Sequence, residues 1–422
     1  MLQNRKWKVA SAIARNEVKD SFSFMSYNVL ADTLLQRHPF LYKNTKQKYL
    51  GWNYRAGLIT KEILHLLPDI VCMQEVEPAA FEQDFQIDLD NRYKGVYCRR
   101  MGDAVDGCAM FWRRDKLKLI HNENIDYKEI TKKDNIAIIS VFELIPFNNQ
   151  TFAPIRFSVA TTHLLFNTNR GYLKLAQLHT LVQRMEAVSH QFGGLNTIIC
   201  GDFNMTEESV MYHYMTTGET EPFLFQDRYL SGQNRIPTEN NGMTPYCYPF
   251  TVLEERKQMR SGEHQQLSKA LTAVNSRFQP ITKRPVQNGP VDPNSELYAF
   301  LGGETGVLKH GFQFQDAILG KGDIRYYSTF HTASQALVDF VFFSPPPSLP
   351  STSSSSDSSA SASASATITS QQPRLITLEF LEPPLVPHHG KIKGNNRRNI
   401  EQMPSKHTPS DHIPLVVEFG FV

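Results

Sequence analysis

The sequence predicts an α/β protein, and three observations carry that reading. Apolar runs of strand length recur along the chain, as at Ile70–Met73 and Asn196–Cys200. Longer segments with apolar residues at helical spacing lie between such runs, as at Ala56–Leu67 and Tyr172–Phe192. Strand after strand also closes on a polar residue able to do chemistry: Asn28, Glu75, His163 and Asp202.

Each element follows from local pattern. Residues 1–21 form a partly basic lead-in (Arg5, Lys6, Lys8, Arg15, Lys19) that we expect to be frayed or helical, ahead of one domain over 22–422. Phe22–Leu30 alternates as a strand with Asn28 near its end. Leu58, Ile59, Ile63, Leu66 and Leu67 share a helical stripe that Pro68 stops. The strand Ile70–Met73 runs out into Gln74 and Glu75. Tyr93–Arg100 and Gly107–Trp112 read as a hairpin across the polar turn Met101–Asp106. Asn135–Leu144 and Arg156–His163 are further strands. In Tyr172–Phe192, Leu175, Leu178, Leu181, Val182, Met185 and Val188 share the stripe of an amphipathic helix, which leads into Asn196–Cys200. Helical turns follow around Ser209–Thr216. A polar insert occupies about 227–294, with Glu254–Ala273 as an inserted helix. Tyr326–Phe330 and Ala336–Phe343 read as a strand pair, Leu375–Leu381 as a strand, and a last strand starts near Leu415. Pro345–Ser370, inside a loop of about 345–374, is rich in Pro, Ser and Ala and is expected to be disordered.

Composition narrows the function classes. The 422 residues suit one large or two ordinary domains, and 41% hydrophobic content supports a substantial core. A net charge of +2 excludes a polycation, so any nucleic-acid affinity rests on local patches. Five cysteines, an odd count without Cys-x-x-Cys, fit a reduced compartment such as the cytoplasm. The basic N-terminus leaves nucleus and mitochondrion open. No apolar run reaches transmembrane length, so no membrane partner is expected.

The strand ends hold the chemistry. In Gly201-Asp202-Phe203-Asn204 the glycine breaks the strand, and residues two apart on extended backbone point the same way. A carboxylate and a carboxamide thus converge while Phe203 turns toward the core. Such a pair can orient a water and steady developing negative charge, although Asp-x-Asn also closes strands as a plain Asx turn. A carboxylate ending a run as apolar as that before Glu75 is costly unless it reaches solvent, a partner or a cation. Asp339 interrupts Leu337–Phe343 and, if buried, needs a donor. Asp411-His412 precedes the last strand, where such a pair is often only a turn or cap.

Taken together, Ser26-Tyr27-Asn28-Val29-Leu30, Gln74-Glu75-Val76, Thr162-His163, Gly201-Asp202-Phe203-Asn204, Val338-Asp339-Phe340 and Ser410-Asp411-His412-Ile413-Pro414-Leu415 resemble the endonuclease/exonuclease/phosphatase superfamily. The resemblance runs from about Phe22 to Phe419. Trp52-Asn-Tyr-Arg55, Asp106-Gly-Cys-Ala109 and Lys174-Leu-Ala-Gln177 are similar to the deadenylase-related branch. Phe166-Asn167 followed by Arg170-Gly171 is most similar to Angel-type proteins. Phe340, where many relatives carry Tyr, is a departure.

That resemblance implies a four-layer α/β sandwich, two mixed sheets face to face with helices outside, and a metal-dependent hydrolase. Glu75, assisted by Asn28, would hold Mg²⁺, with Mn²⁺ as a substitute. Asp202 would activate water, and Asn204 and His163 would donate to the phosphoryl group. His412 would carry positive charge favoured by Asp339 or Asp411, Asp411 alternatively facing a second metal. Asn135 and Asp106 would bind substrate. Lys391, Lys393, Arg397, Arg398 and Lys406 form a basic stretch that is either a solvated loop or, through Arg397 and Arg398, an attractor of the RNA backbone. The expected activity is at RNA 3′ ends, as a poly(A) 3′–5′ exoribonuclease of deadenylase type or a 2′,3′-cyclic phosphatase. A nocturnin-like NADPH phosphatase and a non-catalytic binder of RNA or translation factors are the alternatives. Translation and mRNA-decay factors are conceivable partners, without a leucine-rich repeat tether.

Overall fold

The computed structural model describes residues 5–146, 154–237, 243–245, 292, 295–303, 305–318, 326–332, 334–346, 373–384 and 402–422. The expected helix 254–273 with most of the polar insert, all but the first two residues of the Pro/Ser/Ala tract, and Arg397 and Arg398 of the basic stretch lie outside the described residues.

Alternating apolar residues build two sheets. The first contains β1 (Trp7–Val9), β2 (Asp20–Asn28), β3 (Ile70–Val76), β4 (Tyr93–Arg99) and β5 (Gly107–Arg113). The second contains β6 (Leu117–Asp126), β7 (Ile136–Leu144), β8 (Arg156–His163), β9 (Asn196–Asp202), β10 (Gln315–Asp316) and β11 (Asp339–Ser344). β12 (Leu375–Leu381) and β13 (Leu415–Phe421) return to the first sheet. The orders are β1-β12-β13-β2-β3-β5-β4 and β10-β11-β9-β8-β7-β6. Each sheet is mixed: β2–β3 and β8–β9 run parallel and the remaining pairs antiparallel.

Side-chain alternation makes four layers. Phe22 and Phe24 of β2 and Ile70 and Cys72 of β3 face inward, onto Ile198 and Cys200 of β9 and Val341 of β11. The stacked rings of Phe22 and Phe157, 4.6 Å apart, join the sheets. Residues of the opposite parity face out. Met25, Tyr27, Val71 and Met73 pack on α1 (Trp52–Leu66), and Ala160, Ile199, Phe340 and Phe342 lie in one core with α2 (Gly171–Gln191) and α3 (Val210–Thr217). Full burial of each such side chain contributes about 1.5–3 kcal/mol. Leu67, in left-handed conformation, donates its amide to Ile63, and Pro68 ends α1 there.

Two expectations are corrected, and one strand had no counterpart among them. Over its described residues the lead-in is partly a strand, with a single helical turn at Arg15–Glu17. Trp7–Val9 pairs with β12, and Arg5 donates to the carbonyls of Leu381, Glu382 and Pro414. β6 gave no apolar run because exposed polar residues such as Lys118, Asn122 and Asn124 sit on an open sheet edge. Tyr326–Phe330 and Ala336–Phe343 do not pair as blocks. Thr329–His331 meets Ser334–Ala336 in a small hairpin, while Asp339–Ser344 inserts beside β9, where its apolar residues fill both faces.

The same outer core contains a pH-sensitive group. His179 of α2 is buried against the Tyr214 hydroxyl at 2.5 Å, and burial pushes its pKa down to about 4, the neighbouring His310 adding to the effect. A depressed histidine binds fewer protons folded than unfolded, so stability is complete above about pH 6.5 and falls as pH drops toward 4. Full titration is worth about 3 kcal/mol. Melting curves between pH 7 and 4 should therefore fall less steeply for His179→Gln than for the parent chain. Parallel slopes would show that this histidine does not contribute.

Candidate active site

Strand register assembles the site. In the second sheet His163 of β8, Asp202 of β9 and Asp339 of β11 are cross-strand neighbours in one row. In the first sheet Asn28 stands opposite Gln74, one residue before Glu75. Asp411 and His412 arrive just before β13, whose Leu415 pairs with Ser26. The two sheets thus deliver their polar strand ends to a single edge.

Local backbone re-aims the side chains. β3 bulges between Gln74 and Val76, with Glu75 in the left-handed region at φ 58°. Asn204 is also left-handed, at φ 49°. Gly201 has φ 138°, and a Cβ there would sit 1.9 Å from the Thr162 carbonyl, so only glycine fits. Strained backbone of this kind is costly and gathers where side chains must be aimed.

The contacts are dense. Asn28 Nδ2 donates to Glu75 Oε1 at 3.0 Å and to Asp202 Oδ2 at 3.1 Å, while Asn28 Oδ1 accepts from the Leu30 amide. The Ala31 amide donates to Glu75 Oε2. Asp202 Oδ1 accepts from the Asn204 amide at 2.9 Å, an Asx turn, and Phe203 turns into the core. His163 Nε2 and His412 Nε2 stand 3.6 and 3.7 Å from Asp202 Oδ2. His412 Nδ1 lies 2.7 Å from Asp339 Oδ2. Asp411 Oδ2 accepts from the Tyr42 hydroxyl at 2.9 Å, and its buried Oδ1 has no hydrogen-bond partner and lies 4.0 Å from His412 Nε2. Asn204 Nδ2 spends one hydrogen on the Leu164 carbonyl at 3.2 Å.

Two expected substrate-binding residues sit beside this group but face protein. Asn135 Nδ2 donates to the His163 carbonyl, and its Oδ1 accepts from Gln177 Nε2. Asp106 is ion-paired with Arg100. A carboxylate repels phosphate, so its partner guanidinium is the suitable neighbour for an anion. The sequence reading gave no role to Tyr42, Gln177, Arg55 or Lys174. Arg55 is wholly buried and donates to the carbonyls of Val29, Leu30 and Leu50, fixing the loop after β2. The available signal was a charged residue in the first turns of an otherwise apolar helical stripe.

Electrostatics fit a missing positive charge. Glu75, Asp202, Asp339 and Asp411 are packed at one edge beside His412. Burial pushes Glu75 up to about 7, with the charges of Asp106 and Asp411 adding to it. Burial, then Asp339, raises Asp202. Burial opposes protonation of His412, but Asp339 and the other carboxylates outweigh it and hold the ring protonated well above the ordinary range. Burial lowers His163. Burial already disfavours the charged forms of Glu75 and Asp202, and a divalent cation would offset the repulsion among four carboxyl groups set against one imidazolium. Glu75, His163 and Asp202 offer atoms within 4.8 Å of one another, and the oxygens of the two carboxylates suit a hard divalent ion.

Two mixed sheets clad by helices, with acids, amides and a protonated histidine collected at one sheet edge, define the fold and site of a metal-dependent phosphoester enzyme class. The Endonuclease/Exonuclease/phosphatase family profile matches residues 25–412, and the chain belongs to that family. It is 34% identical over 250 residues to carbon catabolite repressor protein 4 homolog 3 of Arabidopsis thaliana, covering 59% of this chain and 52% of the relative. It is 24% identical over 422 residues to protein angel homolog 2 of Mus musculus, covering 97% and 71%. The chain thus spans between a third and just over half of the length of the plant relatives it matches. Among solved structures it resembles ANGEL2, described as a 2′,3′-cyclic phosphatase, in complex with adenosine-2′,3′-vanadate. The TM-score is 0.67 at 23% identity, over 99% of each chain.

Proposed function

We propose that the chain is a Mg²⁺-dependent phosphoester hydrolase acting at RNA 3′ ends, with a 2′,3′-cyclic phosphate as the first substrate to try and a poly(A) tail as the second. The observation that carries the reading is the meeting of Glu75, Asp202 and the His412–Asp339 pair on one buried strand-end cluster. Asp202 is fixed from two sides, by Asn28 Nδ2 and the Asn204 amide, and is placed to take a proton from an attacking water. His412, kept protonated by Asp339, presents Nε2 toward the same spot as a charged donor to the phosphoryl oxygens. His163 and the second hydrogen of Asn204 Nδ2 are further donors. Glu75 would hold Mg²⁺, with Asn28 turned over to offer its oxygen or left as the donor that orients Glu75. The ion, when bound, supplies a Lewis-acid charge to a phosphate oxygen.

Support for the cyclic phosphate comes from the full-length likeness to a protein described as a cyclic phosphatase. The test is a substrate panel with purified chain and Mg²⁺: RNA ending in a cyclic phosphate, poly(A) RNA and NADPH. Phosphate loss at constant RNA length is the expected result. A ladder of shortened RNA would replace it with exonuclease action, and conversion of NADPH alone would move the substrate to small nucleotides. Turnover of none would favour a non-catalytic binder.

A further inference from the structure

Lys174 and Gln177 stand three residues apart near the start of α2, hence on one helix face, and both are fully buried. Lys174 Nζ donates to the Asn204 carbonyl at 2.8 Å and to Gln233 Oε1 at 2.5 Å. Among the described residues it forms no ion pair. An ammonium group whose hydrogen-bond acceptors are both neutral is expensive to bury, the more distant charges of Asp202 and Asp227 offset only part of the cost, and a hydrocarbon of the same length would pack there more cheaply. The carbonyl that receives it belongs to a residue held in the left-handed region. Asn204 is gripped at its amide by Asp202, at its carbonyl by Lys174 and at Nδ2 by Leu164. Gln177 serves the neighbouring strand end in the same way. Its Oε1 accepts from the Leu165 amide and its Nε2 holds Asn135, which holds the His163 carbonyl. One helix face therefore grips the turns after β8 and β9 from beneath.

We propose that Lys174 is a positioning residue for Asn204: it pins the strained turn after β9 so that the remaining carboxamide N–H stays available to the phosphoryl group. The idea rests on the hydrolase reading above, since it assigns Asn204 a donor's task. Lys174 touches no reacting atom and acts only through that turn.

The test combines turnover with a readout that needs no substrate. Lys174→Met should lower kcat by about 30–100-fold with KM within about twofold, because an interaction made only in the transition state is weakened. In an Asn204→Ala background the same change should cost no more than about threefold, as expected for coupled residues. Independently, hydrogen exchange of the amides at 203–205 should rise by about tenfold or more in Lys174→Met, while the β7 and β8 amides stay protected. Losses that multiply across the two sites, or unchanged exchange, would overturn the proposal. Absence of turnover in the parent chain would sink the hydrolase reading, and the exchange result would still decide whether Lys174 holds the turn. Should Lys174→Met fail to fold, Gln233→Met decides. It removes the second acceptor of Lys174 together with a long donation from Gln233 Nε2 to Asn204 Oδ1 at 3.5 Å, so exchange at 203–205 should again rise, and parent-like exchange would reduce the lysine to a packing role.

Discussion

Glu75→Gln is expected to give a folded chain without turnover and without metal-dependent stabilisation. The substitution keeps shape and one acceptor while removing the charge. A metal anchor contributes several kcal/mol of transition-state charge stabilisation, so kcat/KM should fall by at least about 10³-fold. Stability moves the other way. Burial raises Glu75 to about 7 in the folded chain, so its ionised form is disfavoured there relative to the unfolded state. A raised carboxylate binds more protons folded than unfolded, and stability is lost as pH rises from about 4.5 through about 7. In EDTA at pH 8, Glu75→Gln should therefore melt no lower than the parent chain. Adding Mg²⁺ should raise the parent's Tm and leave the variant's where it was. A variant that still gains Tm from Mg²⁺, or retains parent turnover, would remove Glu75 from the metal site.

Why the strand ends were legible is itself physical. A continuous apolar run such as Ile70–Met73 must be buried on both faces, so a polar residue ending it marks where the sheet meets a cavity or solvent. Glu75, His163 and Asp202 all obeyed this, and register then brought them together. What lay hidden were contacts made at long range. The hydroxyl of Tyr42 meets Asp411 across 369 positions of chain, and nothing near either residue announces the pairing. Asp106 illustrates the same limit. Its place in the cluster was legible, but its ion pair with Arg100 depends on a hairpin turn whose side-chain directions no spacing discloses. Asn135 likewise proved to be a brace for the His163 backbone. The edge strand Leu117–Asp126 escaped because an open edge tolerates polar residues that an interior strand cannot.

Asp339→Asn should be the most informative change after Glu75, because it keeps the side chain's shape and removes a single charge. Asp339 and Asp202 are directly opposed across β11 and β9, a repulsive arrangement that only a shared cation makes tolerable. His412 supplies that cation, at 2.7 Å from one carboxylate and 3.7 Å from the other. Burial alone would drive the imidazole neutral, and Asp339 is the first of the carboxylates that reverse it. Asparagine keeps a hydrogen-bonding group beside Nδ1 but no charge, so the ring's pKa must fall. The protonated ring is the donor, so activity present below its pKa is lost as pH rises through it. The alkaline limb of the kcat/KM profile should accordingly move to lower pH in Asp339→Asn, and kcat at pH 8 should drop by about 10²–10⁴-fold, the usual worth of a positioned acid–base group. Recovery of much of that loss at pH 6 would mark the effect as one of charge. A uniform loss at all pH values would instead mean that Asp339 orients the ring without setting its protonation. An unchanged profile would take His412 out of the chemistry.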